Sequence, residues 1–427
     1  MTVPVSRRTA LAALGLAALG PLAGCGDDLR GTVRVGVVWS GSELATFRRV
    51  LRRFTASQRW GVSVVSLGDD VGTLLAGRVA RAVAPDVAIL PWPGLVAAAS
   101  ARIEELPDLT PPRVASDWQA LASPGGGPPR GVWYKVTHKS LVWYRPDVFR
   151  RYGVEPPTDP IEWARWREIR DTFAAAGLAP LSVGAADGWV LTDWFENVLW
   201  GLDHWTYDLL AAGKGSWDNS SVARTLELLA EVWKPAGTLL GGPGRSLLVQ
   251  FEDSVLDVAR RGRAAMVLGA DFVLPVVRRL APEAPMDWFP VPAPPGGEAP
   301  VVVGGDLVVL LAGAGEGGRT LVEWLARAEA ARDWAAAGGF VSLRSDVDDY
   351  PAQYRPELLY QVRNGGPSGL GFDLSDRLAG SSLAGGDGRG LWRLLQRFLA
   401  ELGRGGETGR VVEDTVGQLV VAAGTRR

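Results

Sequence analysis

The chain has 427 residues, 47% of them apolar, with 45 basic and 47 acidic residues and a formal charge of −2. That length and mixture describe a globular chain with enough core for two domains. Phosphate binding needs a basic excess, and its absence here argues against nucleic acid as a partner.

Arg7 and Arg8 precede an apolar run from Ala10 to Leu19, shorter than the ~20 residues that span a bilayer. A charged start, a short apolar stretch and small residues after it read as a signal peptide over residues 1–24. Its removal takes away two basic residues and no acid, leaving a charge of −4. Leu22-Ala23-Gly24-Cys25 resembles a bacterial lipobox, which implies acylation of Cys25; an ordinary signal peptide with a chance cysteine is the alternative. Cys25 is the single cysteine, so no disulfide or cysteine metal site competes for it. Ser6 to Leu11 also resembles a twin-arginine export motif. Residues 25–30 then form a polar tether. The expected location is extracytoplasmic, with lipid holding the body to the cell membrane.

Thr32 to Val38 is β-branched and predicts a strand. After the loop Trp39–Ser42, Leu44, Phe47, Val50, Leu51 and Phe54 recur at helical spacing. Val62 to Leu67 predicts a second strand, Leu74 to Val83 a second helix, and Pro85 to Leu90 a third strand that stops at Pro91-Trp92-Pro93-Gly94. Such alternation implies an α/β fold with a mostly parallel sheet flanked by helices. Ligands on these sheets bind beyond the carboxyl ends of the strands, which puts Trp39–Glu43 and Pro91–Gly94 on one rim. Val132 to Tyr144 reads as a long strand, residues 145–240 as mostly helical, and Val301 to Leu311 as a strand again.

Most chemistries find no motif. His138 and His204 have no metal-ligand spacing, and no HExxH, GxSxG or Walker loop occurs. No metal and no cofactor is expected. Asp187, Asp193 and Glu196 lie close in sequence, so a glycosidase carboxylate pair stays open. Tryptophan stands out: 18 in the chain, eleven of them from Trp118 to Trp233. An indole face can lie on a pyranose ring while acids accept from its hydroxyls, although for any one Trp core packing is the commoner role.

Lys139-Ser140-Leu141-Val142-Trp143-Tyr144 with Pro146 and Phe149, then Gly153, Pro156-Pro157 and Trp163, resemble segments of the extracellular solute-binding proteins of carbohydrate ABC transporters. Gly184-Ala185-Ala186-Asp187-Gly188-Trp189 and Leu191-Thr192-Asp193-Trp194-Phe195-Glu196-Asn197 resemble the α-glucoside branch. Gly262–Met266 with Gly269–Phe272, Gly304-Gly305-Asp306, Gly338–Ser342 and Phe372-Asp373-Leu374-Ser375-Asp376 have counterparts in the same order. Arg145-Pro146-Asp147 departs from the usual pair after the Trp-Tyr strand.

The resemblance implies a two-lobed periplasmic-binding-protein-like fold, each lobe a mostly parallel sheet flanked by helices. Its first lobe would hold residues 31–137 and 308–345, its second 138–307 and 346–427, with hinges near 137–143, 300–308 and 342–350. It further implies an oligosaccharide, an α-glucoside above all, held between the lobes by a monomer that docks on ABC permease subunits and is not an enzyme. Candidate contacts are Trp39, Ser40, Gly41, Glu43, Asp86 and Trp92 from the first lobe, and Trp189, Asp193, Asp271 and Phe272 from the second. Gly305 and Asp306 lie at the return crossing, and Phe372 and Asp373 near the end. Lys135 and Lys139 share one face of the crossing strand. Two rivals remain: a secreted glycoside-active enzyme, and a sugar-sensing lipoprotein that feeds no importer.

Overall fold

A computed structural model describes residues 29–39, 41–66, 84–91, 93–109, 116–123, 126–157, 160–378, 383 and 390–424. The signal peptide with Cys25, Ser40, Trp92 and the expected helix at 74–83 lie outside them. Among the described residues no helix is long and apolar enough to cross a membrane.

Two sheets organise the chain. The first begins with β1 (Thr32–Val37), β2 (Gly61–Ser66) and β3 (Val87–Leu90), with β1 in the middle and all three parallel. Val33, Val35 and Val37 are buried, and the helix Gly41–Gln58 covers them with Phe47, Val50, Leu51 and Phe54, the spacing that brings apolar residues to one helical face. Helices 316–325 and 328–337 add Trp324 and Trp334 to the same core. The sheet is completed from far along the chain. β9 (Val302–Leu310) runs antiparallel to both β3 and β4 (Val132–His138), and the short β10 (Gly371–Phe372) pairs with its start.

The second sheet has the order β6 (Ala179–Leu181), β7 (Ala264–Leu268), β5 (Leu141–Tyr144), β8 (Asp287–Pro290). β6 and β7 are parallel, and β5 is antiparallel to its two neighbours. Its central strands are buried throughout, as unbroken apolar runs covered on both faces should be. The helix Trp189–Leu202 is buried from Val190 to Gly201 and packs against helices 220–233 and 391–403.

The long strand expected over Val132–Tyr144 is two strands in different sheets. The chain passes from one to the other in two residues, Lys139 and Ser140. Both are held in place: Lys139 N–H donates to the Val302 carbonyl, Val291 N–H donates to the Ser140 carbonyl, and Val302 N–H donates to Ser140 Oγ at 2.7 Å. The outward and return crossings are thus stitched together where the sheets meet.

Candidate functional site

The facing edges of the two sheets enclose two adjoining cavities of about 210 and 360 Å³. They share Lys135, Trp189, Phe272 and Asp306. β4 supplies Lys135 through an irregularity: the register with β9 shifts between Trp133 and Lys135, and Lys135 comes to lie opposite Asp306. β9 approaches closely because Gly305 has no side chain; a Cβ there would stand 2.9 Å from Val136 Cγ1 and 3.0 Å from the Lys135 carbonyl oxygen.

Lys135 is the centre of the larger cavity. Its ammonium is 2.5 Å from Glu43 Oε1 and 3.7 Å from Asp306 Oδ2, and it faces the rings of Trp39, Phe272 and Trp334 at 5.8–6.0 Å. Burial works against this charge, but Glu43 and Asp306 outweigh it and hold the ammonium above its ordinary range. Burial pushes the Asp306 carboxyl up to about 6 although Lys135 pulls the other way. Trp39 Nε1–H donates to Asp306 at 3.3 Å.

Lys139 anchors the smaller cavity. Its ammonium touches Asp373, and lies 2.7 Å from Asp193 Oδ1 and 3.2 Å from Glu196 Oε1. These three carboxylates converge within 4.8 Å, close enough to hold a metal, but the lysine stands among them as the cation. Three acids on one base in a buried place cannot all ionise easily. Burial raises Asp193 to about 6 and Glu196 well above its ordinary value, with Lys139 offsetting part of each. Burial opposes the charge of Asp373 too, but Lys139, Ser375 and a backbone N–H keep this carboxyl below the usual range. Glu196 accepts from Leu374 N–H at 2.8 Å.

Trp189 opens the helix 189–202 and is half-buried, its ring 4.9 Å from Phe251 and 5.7 Å from Phe272. The backbone before it runs tight against a neighbour, since a Cβ on Gly188 would lie 2.7 Å from Trp392 Cβ.

The expected contacts therefore divide. Trp39, Glu43, Lys135, Lys139, Trp189, Phe272, Gly305, Asp306 and Asp373 come together at the cleft. Gly41 is exposed at a helix start and lines neither cavity. Asp193 lies below the surface as a partner of Lys139. Asp271 is buried behind Phe272, where Tyr354 Oη–H donates to it at 2.9 Å and burial raises it to about 7. Phe372 packs between Trp118 and Trp133 in the core. Asp86 is at the wrong end: it precedes β3, so it sits at the amino edge, accepting from Arg34 N–H at 2.8 Å. Sequence reasoning missed Thr137, Phe251, Asp376 and Trp392 as lining residues. Asp376 stood inside a quoted motif. Trp392 carried one faint signal, a tryptophan in the first turn of a helix, as at Trp189.

Several known proteins resemble this chain. The osmoprotective compounds-binding protein GgtB of Synechocystis sp. is 27% identical over 378 residues, 83% of this chain and 86% of that protein. The alpha-glucosides-binding periplasmic protein AglE of Rhizobium meliloti is 28% identical over 248 residues, 54% of this chain and 53% of its own. Among solved structures, apo RafE from Streptococcus pneumoniae aligns with a TM-score of 0.69 at 15% identity, covering 94% of this chain and all of that one. A sugar transporter protein from Bacillus licheniformis, solved with stachyose, aligns at 0.65 and 14% identity over 92% of this chain and all of that one. Both share the two-lobed fold. Residues 61–332, well over half of the chain, match the model of the bacterial extracellular solute-binding proteins; the chain belongs to that family, and it is a binding protein rather than an enzyme.

Proposed function

We propose that this protein is the sugar-binding subunit of an ABC importer, taking an oligosaccharide, an α-glucoside above all, between its lobes and passing it to the permease as a monomer. The observation that carries this reading is the meeting of half-buried rings, Trp189 and Phe272, with the charged groups of Lys135, Asp306, Lys139 and Asp373 in one cleft. Rings cover the apolar face of a pyranose, and fixed charges pair with its hydroxyls. The name of AglE supports the α-glucoside, and that of GgtB supports a ligand among osmoprotective compounds. The lobes are assigned to residues 31–137 with 308–345, and 138–307 with 346–427; the stitched crossing at Lys139, Ser140, Val291 and Val302 is where they would flex.

Maltose, trehalose, sucrose and raffinose, each added to the purified protein, test the reading. A ligand bound only by the folded state raises the melting temperature, so at least one of these should do so and be recovered chemically unchanged. Sugar converted to product in excess of protein would replace the binding reading with an enzymatic one.

The body is further assigned to the outer face of the cell membrane, tethered through acylated Cys25. Cys25→Ala should move the protein from the membrane fraction to the soluble fraction on cell fractionation; retention in the membrane fraction would refute the lipid anchor.

A further inference from the structure

Five acidic residues line the two cavities. Four have partners: Glu43 is on Lys135, Glu252 on Arg279, Asp306 on Lys135 and the Trp39 indole, and Asp373 on Lys139. Asp376 is different. Among the described residues its side chain has no hydrogen bond and no ion pair. Only its backbone is engaged, with Asp376 N–H donating to Asp373 Oδ1 at 3.0 Å, which fixes the short turn that carries it. It lines the smaller cavity beside Lys139, Ser375 and Trp392. The Trp392 indole N–H also has no partner among the described residues.

We propose, building on the sugar-binding reading, that Asp376 is the specificity-determining acid of the cleft, accepting the hydroxyls of a vicinal diol with the Trp392 indole N–H as a donor in the same subsite. A carboxylate has two oxygens that can take one hydroxyl each, and hydrogen bonds to an ionised acceptor are the strong ones. In the empty cleft that acceptor is held in an unfavourable state. Burial and the like charge of Asp373 push the Asp376 carboxyl well above its ordinary value; Lys139 offsets part of this, while Glu196 and Asp306 add to it. The charged groups acting on it are thus Asp373 on its own segment, Lys139 from the crossing, Glu196 from the helix 189–202 and Asp306 from β9. Lys135 and Lys139 are already engaged by other acids. A diol that hydrogen-bonds the ionised form draws the Asp376 proton off to solvent, so affinity increases with pH.

The sign for stability is the reverse. A carboxyl whose folded value lies above its unfolded value favours the folded state at low pH and loses that contribution as pH rises through the folded value. Asp376→Asn removes the charge and keeps the shape. The unliganded variant should melt higher than wild type at pH 8, and its melting temperature should rise less between pH 8 and pH 6.5. That window stays above the range in which His138, lowered to about 4 by burial, opposes the trend. Asp373→Asn should instead melt lower, because Asp373 is paired. With whichever of maltose, trehalose, sucrose or raffinose shifts wild type, Asp376→Asn should bind at least tenfold more weakly by calorimetry. An Asp376→Asn protein no more stable than wild type at pH 8, or one that binds the same sugar equally well, overturns the assignment. If none of the four sugars moves wild type, the sugar reading fails, and the melting comparison by itself decides whether Asp376 is held against folding.

Discussion

Lys139→Met is expected to destabilise the protein by about 3–5 kcal/mol, the usual cost of stranding buried charge when one partner of an ion pair is removed. The residue is nearly isosteric, so the loss reads the charge and not a cavity. Asp193 and Glu196 are buried and have no other cation among the described residues, and Asp373 keeps only Ser375 and a backbone N–H. The pH dependence identifies the cause. Without the ammonium, Asp193 and Glu196 rise further above their unfolded values and Asp373 loses the main group that holds it down, and raised carboxyls favour the folded state only where they are protonated. The deficit should therefore be largest near pH 8 and shrink towards pH 5. Urea denaturation at both values measures it. A deficit independent of pH would mean that Lys139 acts through packing alone. Adding Asp193→Asn to the variant should recover part of the loss at pH 8.

Trp189→Ala should weaken sugar binding at least tenfold, about 1.4 kcal/mol, because its ring lines both cavities. Its contacts with Phe251 and Phe272 are worth ~0.5–1.5 kcal/mol each beyond burial, so some stability goes with it. Trp194→Ala should show the opposite balance. Trp194 is 3% exposed and packs against Trp166 and Trp233, and truncating such a core ring costs ~3–5 kcal/mol. Calorimetry on the folded fraction of each variant separates them: Trp194→Ala should bind normally. Trp189→Ala binding as wild type does would remove it from the site.

How far this was legible depended on the kind of signal. The helix at 41–58 was readable because Phe47, Val50, Leu51 and Phe54 recur at its period. The buried strand β5 was legible only as part of a longer run, because the polar residues His138, Lys139 and Ser140, where the chain leaves one sheet for the other, read as continuing the strand. Trp189 and Trp194 differ in burial as their places in the pattern suggest: the first opens the helix and is half-buried, the second lies within it and is buried. Asp86 was misplaced although chain direction was legible: it stands before β3, so it lies at the amino end, opposite the rim at Pro91. Asp193, Asp271 and Phe372 neighbour the cleft in sequence but are buried and line neither cavity, and that depends on packing from elements far away in the chain. Asp376 was hidden because its distinction is the lack of a partner, which no local pattern encodes.

The late completion of the first sheet bears on how the chain is made. Val87 finds its neighbour Leu310, and Val132 its neighbour Val308, only after most of the polypeptide has emerged. Pairing across such separations is slow, because loop closure precedes any gain from the contact. Until then β3 presents an open edge, a template for association with other chains. A newly synthesised molecule thus keeps this side of the sheet unpaired until Val302–Leu310 has been made, almost three quarters of the way along the chain.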